Sequence, residues 1–106
     1  MFPSHDQAGG ASNRTFSSSV TTGATTLLTM NRDGSDNVTL FLDGVADASN
    51  PQTSALDNTY DYNVFARYST TQSFNGYFNE FILFESDQSA NRTAIESDIN
   101  GYYSIY

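Results

Sequence analysis

The sequence contains no cysteine and no lysine, and histidine occurs once. Without cysteine the chain forms no disulfide, no catalytic thiolate and no cysteine-ligated metal centre. Its four basic residues are all arginine, and twelve acidic residues bring the formal net charge to −8. So acidic a chain lacks the basic stripe that binds nucleic-acid phosphates or anionic lipid headgroups. We therefore expect no nucleic-acid partner and no membrane insertion.

Long apolar runs are missing as well, since no stretch reaches the roughly 18 apolar residues of a transmembrane helix. Met1–Asn13 (MFPSHDQAGGASN) is polar and glycine-rich, and it lacks the apolar core of a signal peptide. We expect this segment to be a flexible N-terminal arm ahead of one domain that spans residues 14–106. Export would then use another route, unless the chain is part of a longer product.

What remains is rich in the signals of short β-strands. Aromatic residues make up 14 % of the chain, which supplies bulk for one core. Asn37–Asp43 (NVTLFLD) alternates, so that Val38, Leu40 and Leu42 share one face. The predicted strands are Arg14–Val20, Ala24–Arg32, Asn37–Asp43, Val45–Ala48, Tyr62–Tyr68, Tyr77–Glu85 and Tyr102–Tyr106.

Turn residues separate the predicted strands. Asp33–Asp36 (DGSD) predicts a tight turn, because aspartate, serine and glycine favour turn conformations. Asp43–Gly44 predicts a hairpin turn that needs positive φ angles. Ser49–Asp61 is polar and contains a proline, which indicates a loop.

Tyr77–Glu85 (YFNEFILFE) is apolar on both of the faces that a strand would present. Such a strand is central in its sheet or is covered on its second side. We expect one of these two arrangements for this segment.

The next segment, Ser86–Asn100, carries helix signals. Ser89 is a candidate N-cap, Ile95 and Ile99 lie on an apolar stripe, and Asn100–Gly101 is a stop signal. The predicted core combines the inward strand faces with this stripe. Its members are Val38, Leu40, Leu42, Val64, Ala66, Phe78, Phe81, Leu83, Ile95 and Ile99.

Two of these segments resemble a known family. Asn37–Gly44 (NVTLFLDG) resembles the V-x-L-Y-V-D/N-G hairpin of concanavalin A-like lectin/glucanase domains, in particular their laminin-G-like branch. Phe74–Glu85 (FNGYFNEFILFE) is similar to the F-x-G-x-I-x-E-V-x-I-Y strand of that branch, and the following segment resembles its short helix. The residues on the strand pattern are Phe74, Gly76, Phe78, Glu80, Phe81, Leu83 and Phe84.

The resemblance covers about Thr25–Tyr106 and implies an all-β fold, an antiparallel two-sheet sandwich or jelly roll with one short C-terminal helix. The sequence of the C-terminal segment is similar to domains of marine bacteriophage and bacterial proteins. Such domains are usually longer, and their N-terminal strands have no counterpart here. An incomplete sandwich leaves strand edges and an apolar face open, which favours association.

No set of residues indicates catalysis. Glucanases of the superfamily place carboxylates on one strand face in an E-x-D-x-x-E arrangement. Glu80 and Glu85 are five residues apart, so an unbulged strand directs them to opposite faces. The single histidine, His5, lies in the arm. We therefore expect a chain that is not an enzyme.

Tyrosines on and near the predicted strands are candidates for stacking on sugar rings. Packing on the sheet explains each tyrosine as well, because strands favour tyrosine. Glu80 is better explained as a structural position of the family, paired with Arg67 on a nearby strand. The candidate ligand-binding residues are Tyr60, Tyr62, Arg67, Tyr68, Tyr77 and Glu80.

The turn residues Asp33, Asp36 and Asn37 are candidate oxygen ligands for Ca²⁺. Some laminin-G-like domains use calcium, and the resemblance implies the same option here. The spacing departs from a D-x-D-x-D-G loop, and β-turns select aspartate and asparagine in any case. Turn formation is the competing explanation for all three residues.

Together these features predict a non-enzymatic structural or binding module on a virion surface, as a capsid decoration or tail-associated protein. It would act through protein–protein contacts, as a homo-oligomer or docked on a capsid or tail protein, and through surface glycans. The alternative is an extracellular carbohydrate-binding, lectin-like module of a larger secreted bacterial protein. A glycosidase fragment is the third and weakest interpretation.

Overall fold

The computed structural model describes residues 18–51 and 75–106, apart from the side chains of residues 50 and 51. Within these ranges the elements are β1 (Leu28–Arg32), β2 (Asn37–Leu42), β3 (Val45–Pro51) and α1 (Arg92–Tyr103). The strands form one antiparallel sheet in the order β1-β2-β3. The described part of the chain is thus a small β-rich domain with a C-terminal helix, and antiparallel pairing in this region is confirmed.

The turn between β1 and β2 is built around Asp33. Its Oδ1 accepts the backbone N–H groups of Ser35 at 2.8 Å and of Asn37 at 2.9 Å. Its carbonyl oxygen accepts the N–H of Asp36 at 3.0 Å, and Asp36 has a φ of 62°. Aspartate tolerates this left-handed conformation better than most residues. The turn predicted at residues 33–36 is confirmed.

The turn between β2 and β3 consists of Asp43 and Gly44, because Leu42 pairs directly with Val45. Their φ angles are 50° and 79°. Two positive φ angles in a two-residue loop are what a type I′ hairpin requires. The predicted hairpin turn is therefore confirmed.

The strands on either side of β2 differ from their predicted bounds. β1 begins at Leu28 because Leu27 pairs with the hairpin turn. The Leu27 N–H donates to Asp43 Oδ1 at 2.8 Å, and the Asp43 N–H donates to the Leu27 carbonyl at 2.9 Å. β3 continues to Pro51, into the predicted loop.

β3 also contains a bulge that the sequence pattern did not indicate. Leu40 pairs with Ala48, whereas Phe41 pairs with Ala46, which leaves Asp47 as the extra residue. The Asp47 carboxylate accepts the N–H of Ser18 at 3.1 Å. A bulge bends its strand and locally disrupts the ladder.

The centre of the sheet carries the apolar cluster. Val38 and Leu40 are 3 % and 1 % exposed, and Leu28, Leu42 and Ala48 pack against them. This face follows the alternation of β2, so the predicted core positions Val38, Leu40 and Leu42 are confirmed, and Leu28 and Ala48 are additions that the prediction did not include.

The opposite face of the sheet contacts α1 and the residues before it. The Asn31 side-chain amide donates to Ser89 Oγ at 2.8 Å. The Arg92 guanidinium carbon lies 3.8 Å from the centroid of the Phe41 ring. Phe41 points away from the Leu40 face, because neighbouring residues of a strand alternate sides. The N-terminal end of α1 therefore lies on the polar face of the sheet.

Tyr77–Glu85 is the main correction. The structure assigns no strand to these residues, and Phe78, Phe81 and Leu83 are more than half exposed. The expectation that Tyr77–Glu85 is a strand is wrong, and so is the placement of these three side chains in the core. An apolar run becomes a strand only when a neighbour completes its ladder, and the pairs of the described sheet are β1–β2 and β2–β3.

α1 begins at Arg92, six residues after the predicted start at Ser86. Ser89 is not its N-cap, because the Asp87 carboxylate accepts the Ser89 N–H at 2.8 Å in a local turn. The N-cap is Asn91, whose side chain makes no capping hydrogen bond to the helix. Turn chemistry at Asp87 thus displaces the helix start.

α1 also ends later than the predicted stop signal. The helix continues through Gly101 to Tyr103, and Ser104 takes the left-handed cap position with a φ of 52°. The expected aromatic strand Tyr102–Tyr106 is therefore wrong, since its first two residues are helical. Ile95 and Ile99 are half-buried, so the helix stripe is less enclosed than the prediction has it.

Several predictions lie outside the described residues. These are the arm Met1–Asn13, most of the strand Arg14–Val20, the strand Tyr62–Tyr68 and the core positions Val64 and Ala66. Residues 18–20, which the structure describes, form no strand.

Candidate functional site

One candidate site is an exposed stretch of large apolar side chains, Tyr77–Phe84, which we call the apolar segment. Six of its eight residues are exposed apolar side chains, with exposed fractions from 44 % to 100 %. They are Tyr77, Phe78, Phe81, Ile82, Leu83 and Phe84. Contiguous exposed apolar surface of this kind marks an interaction site.

The second candidate site is a buried carboxylate on α1. Glu96 is 3 % exposed, and its Oε2 accepts a hydrogen bond from Nη1 of Arg92. The same guanidinium stacks on the Phe41 ring. The other oxygen, Oε1, has no hydrogen-bond partner. An unsatisfied buried carboxylate oxygen is costly, so it requires an explanation.

Glu96 faces a depression between α1 and the β2–β3 turn, which we call the Glu96 depression. Its volume is about 380 Å³, and its lining includes Asp43, Ser97, Asn100 and Tyr106. Tyr106 lies against the turn, since a Cβ at Gly44 would be 2.8 Å from the Tyr106 hydroxyl. The positive φ of residue 44 favours glycine at this position, and an added Cβ would also displace the Tyr106 ring.

Asn100 fixes the chain after α1 and thereby positions Tyr106. Its Oδ1 accepts the N–H groups of Ile105 at 2.7 Å and of Tyr106 at 2.9 Å. Its Nδ2 donates to the Tyr106 carbonyl at 2.6 Å. Both polar atoms of the Asn100 side chain therefore bond to the backbone of residues 105 and 106.

The electrostatics of the depression follow from its carboxylates. Burial raises the pKa of the Tyr106 hydroxyl, and the negative charges of Glu96 and Asp43 raise it further, while Arg92 opposes them. Loss of a proton from Tyr106 would add a third negative charge beside two others. The depression thus favours the neutral form of the Tyr106 phenol, beside the carboxylate acceptors of Glu96 and Asp43.

Two of the candidate sugar-binding residues lie within the described ranges, and they do different things. Tyr77 is fully exposed. Glu80 accepts a hydrogen bond from Tyr103, whose pKa is raised first by burial and then by the Glu80 charge. The structure therefore gives Glu80 a partner on α1. Tyr60, Tyr62, Arg67 and Tyr68 lie outside the described residues.

The candidate calcium ligands Asp33, Asp36 and Asn37 do share one turn, but their side chains are engaged within it. Hydrogen bonds from the N–H groups of Asn37 and Ser35 lower the pKa of Asp33. Asp36 forms an ion pair with Arg32 at 2.7 Å. Across residues 18–51 and 75–106, no three acidic or histidine side chains form a group suited to a metal ion.

The sequence analysis missed the Glu96 depression. The Arg92 and Glu96 spacing of i, i+4 is visible in the sequence and suits an ion pair on a helix. Nothing in the local pattern indicates that the pair is buried, because charged residues on a helix normally face water. Asn100 was interpreted as part of a stop signal, whereas its side chain clamps residues 105 and 106.

No protein-family model, no curated protein and no solved structure matches this chain. Among the described residues, no helix has the length and apolar character needed to cross a bilayer. Function is therefore inferred from the residues themselves.

Proposed function

We propose that this protein is a non-enzymatic binding module of a virion surface, and that it works by protein–protein contact through the apolar segment. The observation that carries the proposal is the exposure of six large apolar side chains within eight residues. Burying such side chains contributes about 1.5–3 kcal/mol each, so water is a poor environment for this surface. A partner surface removes it from water.

A second copy of the chain is the partner that the apolar segment fits best. The segment YFNEFILF carries a single charge, on Glu80, although the whole chain carries a net charge of −8. Two segments can therefore meet without bringing many like charges together. Strand addition between copies would also satisfy backbone groups along the whole segment. The homo-oligomer would then present one composite surface to a capsid or tail protein.

The finer fold belongs to the same proposal. In a concanavalin A-like two-sheet sandwich, the apolar segment would be an inner strand that packs against the sheet of β1, β2 and β3. Association would add strands from a neighbouring copy to the open edges of such a sandwich. This links the incomplete sandwich to the exposed segment, and both to assembly.

The placement on a virion, as capsid decoration or tail-associated protein, is supported by the resemblance of the C-terminal segment to domains of marine bacteriophage and bacterial proteins. The lack of a catalytic set in the sequence supports a structural role. Capsid or tail genes beside the gene for this chain would agree with the placement. A glycoside hydrolase cluster there would disagree with it.

Light scattering on a size-exclusion column tests the association. The wild type should elute as an oligomer at micromolar concentration, and the double variant Phe81→Ser/Leu83→Ser should elute as a folded monomer. Met30→Ser is the matched control, because Met30 is also an exposed apolar residue but lies on β1, outside Tyr77–Phe84. A wild type that is monomeric and well folded would contradict the proposal.

The alternative function, a carbohydrate-binding lectin-like module, is favoured by one observation. Tyr77 is fully exposed and offers an aromatic face for a sugar ring. A glycan array tests it, with Tyr77→Ala as the variant. Binding of a defined glycan that is lost in this variant would support the lectin function, and such binding would not depend on the oligomer.

A further inference from the structure

We propose that the Glu96 depression binds a primary ammonium group, with Glu96 Oε1 and the Asp43 carboxylate as its acceptors. The site is separate from the apolar segment, and the proposal is independent of the association proposed above. A lysine side chain of another protein and a free alkylamine carry the same chemistry. The chain itself has no lysine, so a second copy cannot supply that side chain.

The first observation is that one oxygen of the Glu96 carboxylate has no hydrogen-bond partner. Its carboxylate is almost entirely buried, yet Oε1 has no hydrogen-bond partner while Oε2 takes the Arg92 guanidinium. A hydrogen bond to a charged group is worth about 1.5–3 kcal/mol, so a donor that reaches Oε1 is strongly favoured. The missing partner must therefore be a donor.

The second step is the charge of the depression. Arg92 neutralises Glu96, but Asp43 has no cationic partner among the described residues. Asp43 Oδ1 accepts the Leu27 N–H at 2.8 Å, and this leaves Oδ2 available. The depression thus has one negative charge without a cationic partner among the described residues, which favours a cation over a neutral or anionic ligand.

The third step is the choice among cations. A guanidinium prefers both oxygens of one carboxylate, and neither Glu96 nor Asp43 offers both. Ca²⁺ takes about six to eight oxygen ligands, whereas the depression has two carboxylates. An ammonium is compact and has three donors, which match Glu96 Oε1, Asp43 Oδ2 and the Tyr106 hydroxyl.

Tyr106 lines the depression together with Glu96, whose Oε1 is not exposed to solvent, so we expect entry of the ammonium to displace the Tyr106 ring. Tyr106 follows α1 in a short non-helical stretch that is held by the Asn100 side chain. Because Tyr106 belongs to neither a strand nor α1, we expect its ring to move without disturbing the sheet. Binding should therefore alter the Tyr106 ring environment.

NMR titration with n-butylammonium tests the proposal, using the Glu96 side-chain carboxyl carbon and the Tyr106 ring as reporters. We expect saturable shifts at both, with a dissociation constant on the order of 1 mM. Tetramethylammonium has the same charge but no donors, and it should give no saturable shift. A peptide with one lysine that binds more tightly than n-butylammonium would identify a protein as the source, and equal or weaker binding would identify a free amine.

Variants keep the test specific. Glu96→Gln and Asp43→Asn retain shape, and asparagine tolerates the positive φ of position 43. Each should weaken n-butylammonium binding about tenfold, as the loss of one charge-assisted hydrogen bond predicts. Asp98→Asn is the matched control, since it removes a charge from α1 outside the depression, and it should bind as the wild type does.

Three results would overturn the proposal. The first is the absence of a saturable shift in the wild type. The second is unchanged affinity for n-butylammonium in both Glu96→Gln and Asp43→Asn. If one of these variants does not fold, unchanged affinity in the other is sufficient to overturn the proposal. The third is saturable binding of Ca²⁺ or tetramethylammonium at the same reporters without discrimination in favour of n-butylammonium.

Discussion

The guanidinium of Arg92 occupies a position that few surface arginines have. It is held on one side by the Glu96 carboxylate and on the other by the face of the Phe41 ring. The Glu96 side chain is 4 % exposed and the Arg92 side chain is 21 % exposed, so the carboxylate is shielded from water while the guanidinium is partly open to it. Charges in such a place depend on each other, because either one alone is buried without compensation.

Arg92→Ala should therefore lower the free energy of unfolding by about 3–5 kcal/mol, since it leaves Glu96 buried and without a cation. Urea denaturation measures this loss. The matched control is Asp36→Asn, which breaks the exposed ion pair with Arg32 and should cost less than about 1 kcal/mol.

A second variant separates the buried charge from lost packing. Arg92→Leu/Glu96→Leu removes both charges and should be more stable than Arg92→Ala, because no uncompensated carboxylate remains. Equal losses in Arg92→Ala and Asp36→Asn would contradict the structural account of this pair.

At the scale of elements, the two hairpin turns were predictable and the long apolar run was not. Asp33 and the Asp43–Gly44 pair determine their turns by local hydrogen bonds and by tolerance of positive φ. Tyr77–Glu85 lacks such local chemistry, because an apolar run fits a buried strand and an exposed binding segment equally well. Its conformation depends on what packs against it.

The ends of α1 show the same distinction between local and distant contacts. The Ser89 signal failed because Asp87 takes its N–H. The Asn100–Gly101 signal failed because the Asn100 side chain bonds to residues 105 and 106 and the chain turns at Ser104 instead. The Glu96 depression was not predictable, since it forms between a hairpin turn and a helix about 50 residues apart.

Substitution by alanine should change the stability in opposite directions at Gly44 and Gly101. Gly44 has positive φ, and an added Cβ would be 2.8 Å from the Tyr106 hydroxyl. Gly44→Ala should lose about 1–2 kcal/mol of stability, with a lower melting temperature. Gly101 lies in α1 with nothing within 4 Å of an added Cβ, so Gly101→Ala should gain about 0.5–1 kcal/mol. A Gly44→Ala variant as stable as the wild type would argue against this turn.

The β1–β2 turn predicts a dependence of stability on pH. Hydrogen bonds from the Asn37 and Ser35 N–H groups lower the pKa of Asp33 below its ordinary value of 3.8. A lowered folded-state pKa stabilises the fold above that ordinary value, and the contribution is lost as pH falls through the folded-state pKa. Asp87 contributes to the same loss of stability at acid pH, because hydrogen bonds from Ser89 lower the pKa of Asp87.

Asp33→Asn should therefore be less stable than the wild type at neutral pH, and the difference should shrink as the pH falls below 3.8. Melting temperatures across this range measure the effect. Asp98→Asn serves as the control, because Asp98 lies on α1, away from this turn. A difference between Asp33→Asn and the wild type that stays constant with pH would show that the turn does not hold Asp33 as a carboxylate.

At the scale of the whole molecule, polar and apolar surfaces are divided unevenly. The chain is acidic, yet Tyr77–Phe84 contains a single charged residue and exposes six large apolar side chains. The buried cluster of the described sheet centres on Val38 and Leu40. We propose that association covers the six exposed side chains, because a domain of this size buries too little surface to leave large apolar side chains in water.

Association of copies through the apolar segment can be tested by hydrogen–deuterium exchange of the backbone amides of residues 77–85, measured across a dilution series. We predict fast exchange in the dilute chain, where the segment forms no strand ladder of backbone hydrogen bonds. We predict slow exchange at high concentration, where copies of the chain associate. The amides of β2 should be protected at every concentration and serve as the internal control. Protection of residues 77–85 in the dilute monomer would mean that the segment is already a paired strand, and this would contradict the account.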